Sequence, residues 1–242
     1  MKPKIFIFGD SYSADYGPEL GWVKHLEKDL NLEYEIYNFS VVGTGPTLLF
    51  DDLKKQIKTI NASKDDILIF VLPDVQRVNL SFVSRQSDQT LTTATKFNSS
   101  GFLFHAKQRF GNKNLQFLLK FNEYYSLHSS NLENEYMKYF SYLSVIGQQH
   151  FNKTLVIPTV PLPDDIDITI FQKIDNFYLS DILIQDISEN ESKENKAMLR
   201  THGGDSRTNH LNQDNKIELK NQVISWIKNN TPLDYKKFNI KS

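Results

Sequence analysis

The chain contains no cysteine. Disulfide frameworks, thiolate zinc centres and a cysteine nucleophile are therefore excluded. Charge of one sign is also missing: 28 Lys and Arg stand against 29 Asp and Glu, a formal net charge of -1. No global basic field points to nucleic acid, and no acidic tail is present. Long apolar runs are absent too. Behind the basic start Met1-Lys2-Pro3-Lys4, only Ile5-Phe6-Ile7-Phe8 precedes Gly9-Asp10, where a secretory leader needs roughly 7–15 apolar residues. Nothing approaches the roughly 18 needed to span a membrane. The expectation is a protein that is cytoplasmic, or soluble without a cleaved leader, with no membrane span and no nucleic-acid partner.

What is present suffices for a folded unit. With 242 residues, 39% hydrophobic and 24% charged, the chain reads as one domain over 1–242, with insertions at about 75–108 and 163–200. Lys4 to Phe8 reads as a buried strand and Pro18 to Leu30 as a helix carrying Leu20, Val23, Leu26 and Leu30 on one face. Tyr34 to Phe39 is a second strand. Thr47 to Ile60, with Thr47 as cap, is a second helix, and Ile67 to Leu72 is a central strand stopped by Pro73. No period holds over 75–108. Asn112 to His150 is helical with a break near Ser129-Ser130, Leu155 to Thr159 is a strand, and residues 163–200 are mixed. Asn212 to Lys228 closes the chain as a helix with Ile217, Ile224 and Ile227 inward. Alternating strands and helices imply a parallel sheet, with its site beyond the carboxyl ends of the strands.

Those ends carry the chemistry. Gly9-Asp10-Ser11-Tyr12-Ser13 follows the first strand. A serine there either begins a helix turn or acts as a nucleophile, the latter only with an adjacent base and donors for the oxyanion. Asn38-Phe39-Ser40-Val41-Val42-Gly43-Thr44-Gly45 follows the second; Gly43 lets its amide approach a ligand oxygen closely, though no third glycine completes a dinucleotide fingerprint. Asp205-Ser206-Arg207-Thr208-Asn209-His210 precedes the last helix. His210 either caps or packs at the start of that helix, or supplies the base that a serine needs. Asp164, Asp165 and Asp167 form an acidic cluster, read as a solvated loop and not as a metal site. Lys107-Gln108-Arg109-Phe110 reads as helix surface.

Taken in order, the three blocks resemble the SGNH hydrolase superfamily, the GDSL-type esterases. The resemblance implies an α/β fold: a flavodoxin-like three-layer sandwich around a central parallel sheet. It implies that Ser11 is the nucleophile, that the Ser11 and Gly43 amides form the oxyanion hole, and that His210 is the general base. Asp10 would be structural. Two blocks depart from the family pattern. After the third strand the family carries Gly-x-Asn-Asp, whereas Asp74 stands here at the Asn position; Asp74, Gln76, Arg77 and Asn79 are the candidates for a third donor or a substrate contact. The family's Asp three residues before the His is Arg207, so Asp205 is the candidate orienter of His210.

The implied activity is hydrolysis of small acyl esters through a Ser-His(-Asp) acyl-enzyme, with O-acetyl groups on carbohydrate as the favoured substrate and neither metal nor organic cofactor required. An O-acyltransferase is one alternative. An inactive glycan-binding or structural module, in a surface-polysaccharide system or a virion, is another.

Overall fold

In a computed structural model, the structure describes residues 2–14, 21–42, 44–75, 78–83, 90–95, 132–163, 166–188 and 211–239, with the backbone alone over 78–83 and 90–95. The elements are β1 (Lys4–Phe8), α1 (Trp22–Leu30), β2 (Glu35–Asn38), α2 (Pro46–Thr59), β3 (Ile67–Leu72), β4 (Val78–Val83), β5 (Thr90–Thr95), α3 (Leu132–His150), β6 (Lys153–Pro158), α4 (Thr169–Gln172), β7 (Phe177–Leu179) and α5 (Gln213–Asn229), followed by a 3-10 turn at Tyr235–Lys237. Five strands form one parallel sheet in the order β2-β1-β3-β6-β7. This is the flavodoxin-like doubly wound order expected from the sequence.

Strand alternation sorts the core into two layers. Ile5, Ile7, Ile67, Ile69, Val71, Leu155 and Ile157 point to one face, where α1 brings Trp22, Val23 and Leu26 and α5 brings Leu219, Val223 and Trp226. Phe6, Phe8, Leu68, Phe70 and Val156 point to the other, against Leu49, Phe50 and Leu53 of α2 and Tyr136, Phe140 and Leu143 of α3. The second face is rich in rings: Phe8 stacks on Phe70 with centroids 6.2 Å apart, and Phe50 lies 4.9 Å from Phe70. β3 is buried along its whole length, as a central parallel strand covered on both faces must be.

Several expectations are corrected. The stretch read as aperiodic holds an antiparallel hairpin, β4 with β5, in register from Val78↔Thr95 to Val83↔Thr90. Residues read as part of an insertion supply β7, the fifth strand of the main sheet. Thr47 does not cap α2: Gly45 is the N-cap, Pro46 opens the first turn, and the Thr47 hydroxyl lies 3.3 Å from that of Tyr139. In α5 the buried stripe is Asn215, Lys216, Leu219, Gln222, Val223, Trp226 and Ile227, with Ile217 and Ile224 only half-buried on its flank. The described part of α1 starts at Trp22 behind Gly21; Pro18 and Leu20 lie outside the described residues, as do residues 112–131 with their expected helix break.

The polarity of α5 decides at which edge of the sheet the chain's tail enters. Its side chains meet those of α1 and of the turn that follows it in ascending order. Gln213 Nε2 lies 3.2 Å from His25 Nε2, Lys220 Nζ 2.6 Å from Asp29 and Lys228 Nζ 2.6 Å from Glu33. The two helices are therefore parallel to each other. α1 links the parallel strands β1 and β2, so both helices run against the strands and begin at the sheet's carboxyl edge. At the far end Lys153, the first residue of β6, donates to the Ile227 carbonyl of α5 at 2.8 Å.

Candidate active site

Ser11 sits on a tight turn immediately beyond β1 and is half-buried. The turn is held from inside. The fully buried Asp10 accepts the Tyr12 amide on Oδ1 at 3.1 Å, and the Asp10 carbonyl accepts the amides of Ser13 and Ala14 at 3.1 and 2.9 Å. Asp10 thus has the structural role expected of it. The chain can enter this turn because residue 9 is glycine: a Cβ there would lie 2.1 Å from Ser13 Oγ and 2.9 Å from Val71 Cβ. The Trp22 indole donates to the Tyr12 carbonyl at 3.0 Å, tying the turn to the first turn of α1.

The segment after β2 is laced along the same turn. Phe39 N donates to Ile7 O at 2.8 Å and Val41 N to Gly9 O at 2.9 Å. Asn38 Nδ2 donates to Ser13 O at 3.0 Å while Asn38 Oδ1 accepts the Ser40 amide at 3.1 Å. Asn38 is thus a positioning residue, a role its place in the sequence does not announce; an Asn at a strand end two residues before a Ser amide is the available signal. Thr44 N then donates back to Val41 O at 3.3 Å, which closes a turn ahead of buried Thr44, Gly45 and Pro46. Gly43, inside that turn, lies outside the described residues.

Beyond β3, Asp74 is buried with 2% of its surface exposed. Its environment comes from α3. The Val75 amide hydrogen-bonds the Tyr136 hydroxyl, and burial, followed by the charge of Asp74, drives the Tyr136 pKa far up, so the phenol stays neutral. Val75 and Tyr136 both belong to the ring-rich layer. Gln76 and Arg77 lie outside the described residues, and Asn79 falls in β4, where the backbone alone is described.

Asp205 and His210 lie outside the described residues. The residues that follow His210, from Leu211 to Asn239, are described. Leu211 is buried in the same hydrophobic layer as Tyr12, and the cap of α5 is Asn212, whose side chain accepts the Asn215 amide at 2.8 Å. Helix capping, one of the two plain roles open to His210, is thus filled by another residue. Of the other histidines, His25 is half-buried between α1 and α5, and desolvation followed by the charge of Lys28 lowers its pKa.

Of the acidic cluster, Asp167 alone is among the described residues. Asp167 accepts the Thr169 amide and hydroxyl at 3.0 and 2.6 Å, and these bonds hold its carboxyl below the ordinary range; Asp164 and Asp165 are outside the described residues. Among the described residues no three His, Asp or Glu side chains form a metal-ligating group, and no helix is long and apolar enough to cross a membrane. A cavity of about 660 Å³ opens at the opposite, amino edge of the sheet. Its cations serve the backbone: Lys4 Nζ donates to the carbonyls of Ile60 and Asn61, and Lys153 Nζ to that of Ile227.

No family model matches the chain, and no curated protein sequence matches it. Among solved structures, it is similar to a lipase/acylhydrolase from Enterococcus faecalis at 13% identity and TM-score 0.41, covering 96% of this chain and 99% of that one. It is also similar to the YXIM protein of Bacillus subtilis at 10% identity and TM-score 0.45, covering 95% of this chain and 57% of the other.

Proposed function

We propose that the chain is a serine ester hydrolase of the SGNH type, acting on small acyl esters through Ser11. The observation that supports this most is the meeting of head and tail. The Ser11 turn and Leu211, the residue after His210, pack into one layer at the edge where α1 and α5 both begin. Leu211 thus lies on the same side of the sheet as Tyr12, which supports a base supplied from the adjoining position 210.

In the proposed reaction the Ser11 Oγ attacks the ester carbonyl carbon while its proton passes to His210, which Asp205 orients. The carbonyl becomes an oxyanion held by the Ser11 and Gly43 amides. Collapse breaks the bond to the alcohol, which leaves with the proton from His210, and the acyl group stays on Ser11. Water then attacks the acyl carbon, giving its proton to His210; the carboxylic acid departs and Ser11 is reprotonated. A third donor comes from Gln76, Arg77 or Asn79, because a carboxylate at Asp74, whose charge already raises the Tyr136 pKa, would oppose the oxyanion. The reaction as written uses no cofactor.

The test is Ser11→Ala. Turnover of p-nitrophenyl esters should fall about 10⁴-fold or more, with the melting temperature retained, and a fluorophosphonate should label Ser11 in the parent alone. Equal turnover in the variant refutes the assignment. Sugar binding without labelling supports the inactive module instead, and product that appears only with an acceptor sugar supports the acyltransferase.

A further inference from the structure

The turn that follows β2 carries two valines where turns normally carry Gly, Asn, Asp or Ser. Val41 is 56% exposed and Val42 43%, and Leu48, in the first turn of α2, is 40% exposed. Nothing in the local fold calls for them. The turn is anchored by its backbone through Val41 N to Gly9 O and Thr44 N to Val41 O, and the residues that bury it are Thr44, Gly45 and Pro46. β-branched side chains held in water on a backbone-anchored turn leave apolar surface that a ligand can cover. The place is specific: the hydrogen bond from Val41 to Gly9 sets this lip two residues from Ser11 along β1's exit.

We infer that Val41 and Val42, flanked by Leu48, form the acyl-binding lip of the site and select esters with a short aliphatic acyl chain over acetyl esters. The inference rests on Ser11 being the nucleophile. The occupant is the chain of the acyl group because the lip is continuous with the turn that presents the nucleophile. A chain of about four to six carbons spans two valine side chains, each buried methylene adding to binding. This narrows the small acyl esters of the proposed reaction and moves the substrate away from acetylated sugar.

The test compares p-nitrophenyl acetate, butyrate and hexanoate on the parent and on a Val41→Ser/Val42→Ser double variant. Full burial of a methylene is worth about fourfold in kcat/KM, and contact with one side about half that in free energy, so butyrate should exceed acetate by about fourfold in the parent. The ratio should fall to about one in the double variant; taken within each protein, it cancels changes in the chemical step. Where ester turnover is slow, the rates of the initial p-nitrophenol burst from acetate and butyrate give the same ratio. A parent ratio of one or less, or a ratio unmoved by the double substitution, overturns the lip while Ser11-dependent chemistry stands. No turnover and no capture at Ser11 refutes the hydrolase, and the lip with it.

Discussion

Gly9→Ala tests the turn that presents Ser11. The added Cβ would stand 2.1 Å from Ser13 Oγ, 2.9 Å from Val71 Cβ and 3.3 Å from the Val71 carbonyl oxygen. The first contact is relieved cheaply, since the Ser13 hydroxyl can swing away from its long 3.4 Å bond to the Asp10 carbonyl. The second is not, because Val71 is fully buried in β3. β1 and β3 must separate by about half an ångström at a point where the sheet is covered on both faces, an overpacking that costs about 2 kcal/mol. For a domain of this size that lowers the melting temperature by about 4–8 °C, measured by circular dichroism. Because the proposed nucleophile Ser11 is two residues on, turnover should fall about tenfold as well. Gly9→Ala/Ser13→Ala should recover less than half of the lost stability. A Gly9→Ala melting point within about 1 °C of the parent, or complete recovery in the double variant, refutes β3 as the wall that makes glycine necessary.

Gly147→Ala should destabilise by about 1–3 kcal/mol, since its Cβ would meet Thr154 Oγ1 at 2.4 Å. Thr154→Val should cost nothing or stabilise, because that buried hydroxyl has no hydrogen-bond partner; urea titration reads both. Asp66→Ala strips the acceptor from Lys4 N, Ser63 N and Ser63 Oγ and should cost about 3 kcal/mol by the same assay. His25, with its pKa depressed below the ordinary 6.5, binds protons more weakly folded than unfolded. Its contribution is thus present above that value and lost as pH falls through the folded-state pKa. The stability gap between the parent and His25→Gln should widen as pH rises from about 5 to 7; a flat gap contradicts the depressed value.

The elements legible in the sequence are those whose residues serve one purpose. β3 reads as buried because every side chain from Ile67 to Leu72 is apolar and every one is covered. β7 does not, since Phe177–Leu179 is three residues inside a polar stretch, too short to display a period. The β4–β5 hairpin alternates Val78, Leu80 and Phe82 with Asn79 and Ser81, but β5 is mostly threonine, whose β-branched shape suits a strand while its hydroxyl suggests a loop. The inward face of α5 is hidden from a periodicity argument because three of its buried residues are polar. Asn215 is buried to clamp the tail, donating to Ile187 O and Asn239 O and accepting Asn239 N, and Gln222 exchanges bonds with the Asp234 backbone. Periodicity counts such residues as solvent-facing. At the site, the Gly9–Ser13 block is legible because glycine and serine each have a chemical reason at a strand end, whereas Asn38 acts through contacts that only the folded loop brings together.

Asp74 is the point where this chain departs furthest from the SGNH pattern, and its surroundings suggest what the departure does. A carboxylate facing the oxyanion would oppose the charge that the reaction creates. Asp74 lies close enough to Tyr136 for its charge to raise that phenol's pKa, and the Tyr136 hydroxyl takes the Val75 amide, so the end of β3 is fastened to α3 beside a buried carboxylate. Tyr136→Phe leaves the Val75 amide without that acceptor and should cost about 1–3 kcal/mol. Asp74→Asn separates the two roles. With the carboxylate turned to Tyr136, the variant should lose stability while kcat for a p-nitrophenyl ester stays within about threefold. With the carboxylate at the oxyanion, the new amide would become a donor and kcat would rise by about 10²-fold or more. That rise would assign Asp74 to the catalytic machinery and refute its role as an anchor of the strand end.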